Sequence, residues 1–301
     1  MADTPALQGR IVAAHGRHYT VEMPDGHLRK CFPRGKKAGA AVGDYVVVSP
    51  QGNDEGSIDR ILERRNLLYR SDDMRTKQFA ANVDQLLIVV APEPSFSDDL
   101  LGRALVAAQS ADIAPVVILN KIDLPSGVDQ ARGRLAKLAR TGVKIIELSA
   151  LAPQAMREVL LPLLHGRCSL LLGQSGMGKS TLLNALVPEA RAHTQEHSQA
   201  LGAGKHTTTS TRLYHLPDSA GDIIDSPGFQ AFGLYHLTST DIEHGFPEFR
   251  EGVQHCRFYN CTHRHEPGCG VLAALERGEI ATERHDLYKR ILAENESQGR
   301  Y

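Results

Sequence analysis

The segment Gly173-Gln174-Ser175-Gly176-Met177-Gly178-Lys179-Ser180 limits what this chain can fold into more than any other feature. It matches G-x-x-x-x-G-K-[ST] in full. Residues 169–172 form an apolar run before it, as a strand would, and the helix-favouring residues 181–186 follow. The glycines are needed because backbone N–H groups must curl around phosphate oxygens with no Cβ in the way. Lys179 is placed to reach β- and γ-phosphates, the Ser180 hydroxyl to ligate Mg2+, and Thr181 to complete the segment. Without a ligand the same residues are a glycine-rich strand-to-helix turn.

The surroundings agree with a nucleotide-binding α/β domain. Residues 86–91, 116–119, 144–148, 169–172 and 223–224 are apolar runs of the kind buried on both faces of a parallel sheet. Residues 98–110 and 129–141 between them read as helices. Asn120-Lys121-Ile122-Asp123 follows one such strand and matches N-K-x-D. A carboxylate at Asp123 can accept two hydrogen bonds from the N1–H and exocyclic amine of guanine, a donor pair that adenine lacks. Ser149-Ala150 follows the next strand and matches the short S-A element that braces the base through backbone N–H. Asp225-Ser226-Pro227-Gly228 matches D-x-x-G, with Asp225 holding Mg2+ through water and the Gly228 amide near the γ-phosphate. Thr208, in the run Lys205-His206-Thr207-Thr208-Thr209, lies where a magnesium-binding switch threonine belongs. The guanine motifs thus precede the phosphate and magnesium motifs, the reverse of the order in ordinary small GTPases. Phe229 occupies the position where many GTPases keep a water-orienting glutamine, and His206 is the nearest replacement; Gln230 is one place further on.

The flanks differ in texture. Residues 1–65 carry short β-like runs at 9–12, 19–23, 44–48 and 57–62, with turn signals at Pro24-Asp25-Gly26 and Gly43-Asp44, and read as a small barrel of OB or SH3-like type. Residues 66–81 read as a linker, 82–235 as the GTPase domain, and 236–301 as a mainly helical zinc-binding domain. There Cys256-x4-Cys261-x-His263-x5-Cys269 supplies the three thiolates and one imidazole of a closed structural Zn2+ site, with His255 and His265 as neighbouring alternatives to His263. Cys31 and Cys168 stand apart, so the five cysteines suit a reducing compartment better than a disulfide frame. A net charge of −1 excludes a molecule that binds nucleic acid by bulk charge. Local binding remains open through Arg10, Arg17, Arg29, Lys30, Arg34, Lys36 and Lys37. No apolar run reaches the roughly 18 residues of a membrane span. A cytoplasmic monomer is the expectation.

With these residues in hand, the chain resembles the bacterial RsgA (YjeQ/EngC) family of circularly permuted GTPases that depend on the small ribosomal subunit. The permuted order, Phe229, His206 before three threonines, and the Cys/His spacing carry the resemblance, which spans nearly the whole chain. It implies an OB-fold barrel, an α/β P-loop GTPase domain and a zinc domain, with ribosomal RNA contacted by the two flanking domains. It implies GTP hydrolysis to GDP, stimulated by the small subunit whose late maturation it assists, with His206 as the catalytic candidate and Thr208 as the switch threonine. The competing readings are a GTP-dependent RNA-binding switch with little turnover, and a P-loop ATPase or kinase. Asn120 to Asp123 opposes the last.

Overall fold

A computed structural model describes residues 7–34, 39–71, 76–138, 141–190, 211–226 and 233–298. Its centre is a parallel sheet built from β8 (Gln85–Val90), β9 (Ala114–Leu119), β10 (Lys144–Glu147), β11 (Arg167–Leu172) and β13 (Gly221–Asp225), in the order β10-β9-β8-β11-β13. β8 is buried at every position, as its unbroken apolar run requires when helices cover both faces. Gln85 is the polar exception, and its amide donates to Leu163 O and Ser169 Oγ. Helices α1 (Asp98–Ser110), α2 (Val128–Ala136), α3 (Pro153–Leu164) and α4 (Lys179–Leu186) connect the strands. Ser97 caps α1, its Oγ accepting from Leu100 N–H, and Asp98 and Asp99 suit the positive end of the helix dipole.

The amino-terminal strands β1 (Leu7–Ala14), β2 (Tyr19–Glu22), β3 (Leu28–Pro33), β4 (Tyr45–Gln51) and β5 (Glu55–Ile61) run β1-β2-β3-β5-β4 and close by pairing β1 with β4. β3 and β5 are parallel and the other neighbours antiparallel. This closed pattern is OB-like and decides between the two barrel types. β3, with Arg29, Lys30 and one buried side chain, Cys31, lacked the apolar alternation by which its neighbours were recognised.

The span expected as a linker is itself structured. β6 (Leu67–Ser71) and β7 (Thr76–Ala81) form a hairpin, with Leu68, Ala80 and Ala81 buried. Beside it Arg64 grips the fully buried Asp44 through two 2.6 Å bonds, and Asn82 donates to Gly43 O. Gly43, at φ +94°, has no room for a Cβ, which would lie 2.1 Å from Ala81 O. The barrel also joins the central sheet directly, because β12 (Arg212–His215) pairs with both β13 and β1.

The carboxy-terminal region contains α5 (Ser239–His244), α6 (Arg250–Val253), α7 (Gly270–Glu276) and α8 (Thr282–Gln298). The apolar residues between 272 and 292 serve two helices, with buried Ile280 in the turn between them. Phe246, Phe249 and Tyr288 form the buried centre, and Arg103 of α1 ties α8 through a two-pronged contact with Glu294.

At the barrel junction His215 meets Asp222 at 2.7 Å and Glu22 at 2.9 Å, while Arg10 holds the other oxygen of Asp222. Burial opposes the imidazolium, but the bonds and charges of Asp222 and Glu22 outweigh it and raise the His215 pKa. A raised folded-state pKa contributes stability present below the unfolded value and lost as pH rises through the folded value. The melting-temperature advantage of wild type over His215→Gln should therefore be full below the ordinary histidine pKa of 6.5 and shrink over the range above it. A constant difference across that range would mean that His215 carries no charge at the junction.

Candidate nucleotide site and metal cluster

The carboxyl ends of the parallel strands share one edge, where α/β sheets bind ligands. Asn120 follows β9, Ser149 follows β10, Gly173 follows β11, and Asp225 ends β13. Asn120 is 1% exposed, and its carboxamide joins three of these loops. Nδ2 donates to Met177 O at 3.0 Å, and Oδ1 accepts from Ala150 N–H at 2.9 Å. The Ala150 amide, part of the element expected to brace the base, here donates to Asn120 Oδ1. The Ser149 hydroxyl accepts from Leu151 N–H at 3.2 Å. Asp123 is exposed. Lys121 takes a left-handed backbone, φ 64°, and its ammonium donates to Glu93 O at 2.7 Å.

The phosphate loop is preformed. Gly176 and Gly178 have φ of +82° and +91°, and Ser175, Ser180 and Thr181 are exposed. A Cβ on Gly173 would lie 2.5 Å from Val89 O, so this glycine permits the loop to press against β8. Gly178 caps α4 without a side-chain hydrogen bond, leaving the first-turn N–H groups for an anion. The buried Lys179 ammonium donates to Gly173 O at 2.6 Å and Gln174 O at 3.0 Å. Burial lowers its pKa, and Asp225 opposes that shift. Burial likewise pushes the Asp225 carboxyl up to about 6, with Lys179 and the Ser226 N–H in opposition. A nearby divalent cation would favour the carboxylate. Ser226 Oγ donates to Leu171 O at 2.7 Å and pins the start of the D-x-x-G turn.

The loop after β8 belongs to this edge too, although no motif marks it. Glu93 receives Lys121, Pro94 packs by Gly176, and the Ser97 N–H donates to Gln174 Oε1 at 2.7 Å. Only the position of this loop at a strand's carboxyl end signals it. His206, Thr208, Gly228, Phe229 and Gln230 lie outside the described residues.

Far along the chain, the ligand atoms of Cys256, Cys261, His263 and Cys269 lie within 4.8 Å of one another. His255 and His265 are exposed and outside the group. His263 turns Nδ1 toward Cys256 and Cys269, at 3.5 and 3.4 Å, and its Nε2 meets Glu243 at 2.8 Å. A carboxylate on the far nitrogen orients a metal-binding imidazole. The His263 backbone is left-handed at φ 57°, and its carbonyl accepts from His285 Nε2 at 2.7 Å. The set suits a metal ion.

A sequence model of the RsgA GTPase family matches residues 61–235. The chain belongs to the RsgA GTPase family. It is 67% identical over 294 residues to the small ribosomal subunit biogenesis GTPase RsgA of Bordetella pertussis, covering 98% of each chain. To the protein of that name from Ralstonia nicotianae it is 54% identical, covering 96% of this chain and 92% of that one. Among solved structures, YjeQ from Thermotoga maritima is 31% identical with a TM-score of 0.72, over 96% of this chain and 98% of that one. YloQ, described as a circularly permuted GTPase, is 28% identical with a TM-score of 0.70, over 97% of this chain and 96% of that one. The motif order of this RsgA-family GTPase is therefore a permutation within one sheet.

Gly178 offers a test of the preformed edge. A Cβ there would stand 2.3 Å from Asn120 Nδ2 on a backbone that disfavours side chains. Gly178→Ala should weaken GTP binding by about fivefold or more, since strain of about 1–3 kcal/mol falls on the loop that holds the phosphates. Titration with a fluorescent GTP analogue measures it, and unaltered affinity would show that the loop yields without cost.

Proposed function

We propose that this chain binds GTP with Mg2+ and hydrolyses it on the small ribosomal subunit, assisting late maturation of that subunit. The observation that carries the reading is the preformed edge, with Asn120 bonded to both the phosphate loop and Ala150. The near-complete likeness to proteins named for small-subunit biogenesis supplies the partner. Gly173, Gln174, Ser175, Gly176, Met177 and Gly178 wrap the phosphates, Lys179 offsets their charge, and Asp123 with Lys121 selects guanine. Ser180, Thr208 and Asp225 (through water) hold Mg2+, which neutralises charge on the transferred phosphoryl group. Thr181 completes the nucleotide contacts, and the Gly228 amide reads the γ-phosphate. His206 orients the attacking water, a task closed to Phe229. The barrel offers Arg17, Lys30 and Phe32 on its surface, and the metal region offers Arg257, Phe258 and Tyr259, for ribosomal RNA. Cations with exposed rings suit phosphate and base contact. The protein works as a cytoplasmic monomer, and no helix among the described residues is long and apolar enough to cross a membrane.

The test is GTP turnover with and without purified small subunits. Turnover should rise on the order of 10³-fold, because phosphoryl transfer depends on positioning that a partner can complete. His206→Ala should keep GTP affinity and lose most of that stimulation. An unstimulated wild type would overturn the ribosomal reading, and a fully stimulated His206→Ala would move the water-orienting task to another residue, Gln230 first.

The metal is Zn2+, held by Cys256, Cys261, His263 and Cys269. Sulfurs about 2.3 Å from a tetrahedral centre stand about 3.8 Å apart, and the Cys256 and Cys269 sulfurs stand 3.8 Å apart. Four protein ligands leave no open position, so the ion would stabilise and not catalyse. Structural zinc contributes on the order of 10 kcal/mol of apparent folding free energy in small domains. Cys261→Ser should therefore unfold the carboxy-terminal region, seen by proteolysis, while guanine-nucleotide affinity persists. Elemental analysis of protein purified without chelators should find one zinc per chain; none would defeat the assignment.

A further inference from the structure

Two cross-strand pairs face each other where the barrel meets the nucleotide sheet. Arg10 of β1 lies opposite Glu22 of β2, and Asp222 of β13 lies opposite His215 of β12. Three side-chain contacts link them into a network of charged and titratable groups. Arg10 Nη1 donates to Asp222 Oδ2 at 2.5 Å, the other Asp222 oxygen meets His215 Nδ1 at 2.7 Å, and His215 Nε2 meets Glu22 at 2.9 Å. Arg10 also lies over the Tyr45 ring, and its Nη2 donates to Cys168 Sγ of β11 at 3.2 Å. The arginine that sequence offered as part of an RNA-binding patch is thus committed to the interior of the molecule, 14% exposed in its side chain.

Two of the four strands in this network, β12 and β13, lead to the chemistry. Asp222 precedes Asp225 by three residues on β13, about 10 Å along a strand. Arg212 lies opposite Asp225 on one side and opposite Ala13 of the barrel on the other. Ala14 N–H donates to Thr211 O at 3.4 Å, so barrel backbone is bonded just ahead of β12. Ion pairs of this kind contribute little net stability, since desolvation offsets attraction, and their best-supported role is to select one register.

We propose that the Arg10–Asp222–His215–Glu22 network is a positioning device for hydrolysis, fixing the barrel against β12 and β13 and thereby helping to hold Asp225 in place. The inference rests on the assignment of Asp225 to Mg2+ in GTP hydrolysis. A shift of the barrel moves β12 with it, and β12 is one of the two neighbours, with β11, that set the position of the magnesium-binding end of β13. None of the four network residues is among those assigned to the nucleotide; they act through Asp225.

The full-length chain carrying Glu22→Gln, Arg10→Gln, Asp222→Asn or the last two together tests this, with no ribosomal subunit present. Each single change should lower kcat about fivefold and raise the half-saturating Mg2+ concentration about as much, with KM for GTP and GDP affinity within about twofold of wild type. Hydrogen exchange should quicken across residues 211–215 and 221–225. Arg10→Gln with Asp222→Asn should cost no more than either alone, as expected for partners in one network. The inference is overturned if exchange quickens while kcat and Mg2+ dependence stay within about twofold of wild type, or if the two changes are fully additive. Should Asp222→Asn fail to fold, Glu22→Gln at the rim of the junction carries the same readouts. Because no subunit enters these measurements, a wild type that ignores ribosomes would count against the ribosomal reading and leave this result standing.

Discussion

One buried carboxamide holds the nucleotide edge together. Asn120 spends both polar atoms on other loops, donating to Met177 and accepting from Ala150. Leaving either atom of a buried amide without a partner costs about 1–3 kcal/mol, so the base loop, the brace loop and the phosphate loop stand or shift together. The absence of a side chain on Gly178 makes the approach possible. These bonds run sideways between strand ends, and nothing in them depends on which loop comes first in the chain. A permuted order of motifs therefore leaves the site unaltered, provided that the strands keep their neighbours.

The same sideways logic explains how the barrel is attached. Barrels usually hide their edges by closure, and here β1 completes the closure with β4. β1 is nevertheless long enough to reach β12 beyond the barrel, so that the two sheets run into one another. The hairpin after the barrel adds a second attachment, with Arg64 and Asn82 each satisfying a group near Gly43. Asp44 illustrates the energetic rule: a fully buried carboxylate is tolerable because Arg64 and the Ala41 N–H satisfy it.

Much of the nucleotide site was legible because phosphate binding demands particular residues at particular spacing. Gly173 and Lys179 belong to a full G-x-x-x-x-G-K-[ST] match, and unbroken apolar runs located the strands that lead into them and into Asp225. β3 escaped notice because a barrel strand needs only one buried face, and here Cys31 alone is buried. α3 escaped because Pro153 and Pro162 broke the pattern, although the first lies in the opening turn, where proline is favourable. Glu93, Pro94 and Ser97 escaped because two of them contribute backbone atoms and the third a ring edge, none of which a side-chain motif can encode. Arg10 was misjudged for a related reason: a positive residue in a basic stretch reads as surface until its partner, 212 residues away, is known.

The metal cluster is remote from the nucleotide edge in sequence, yet packed structure connects them. His263 is oriented by Glu243 of α5. α5 lies against α1, where Ser110 Oγ donates to Asp241 O at 2.8 Å and Gly245 leaves room for Val106. The far end of α1 begins at Ser97, whose N–H donates to Gln174 of the phosphate loop. Arg103, midway along α1, is held by Asp99 and by Glu294 of α8, so the helix is clamped from the carboxy-terminal side. A packed helix does not bend smoothly; it shifts as a body or not at all. A metal held between Cys256 and Cys269 would therefore steady the footing of α1 at Ser110, the end away from the phosphate loop, which keeps its own bonds to Asn120 and Ser97.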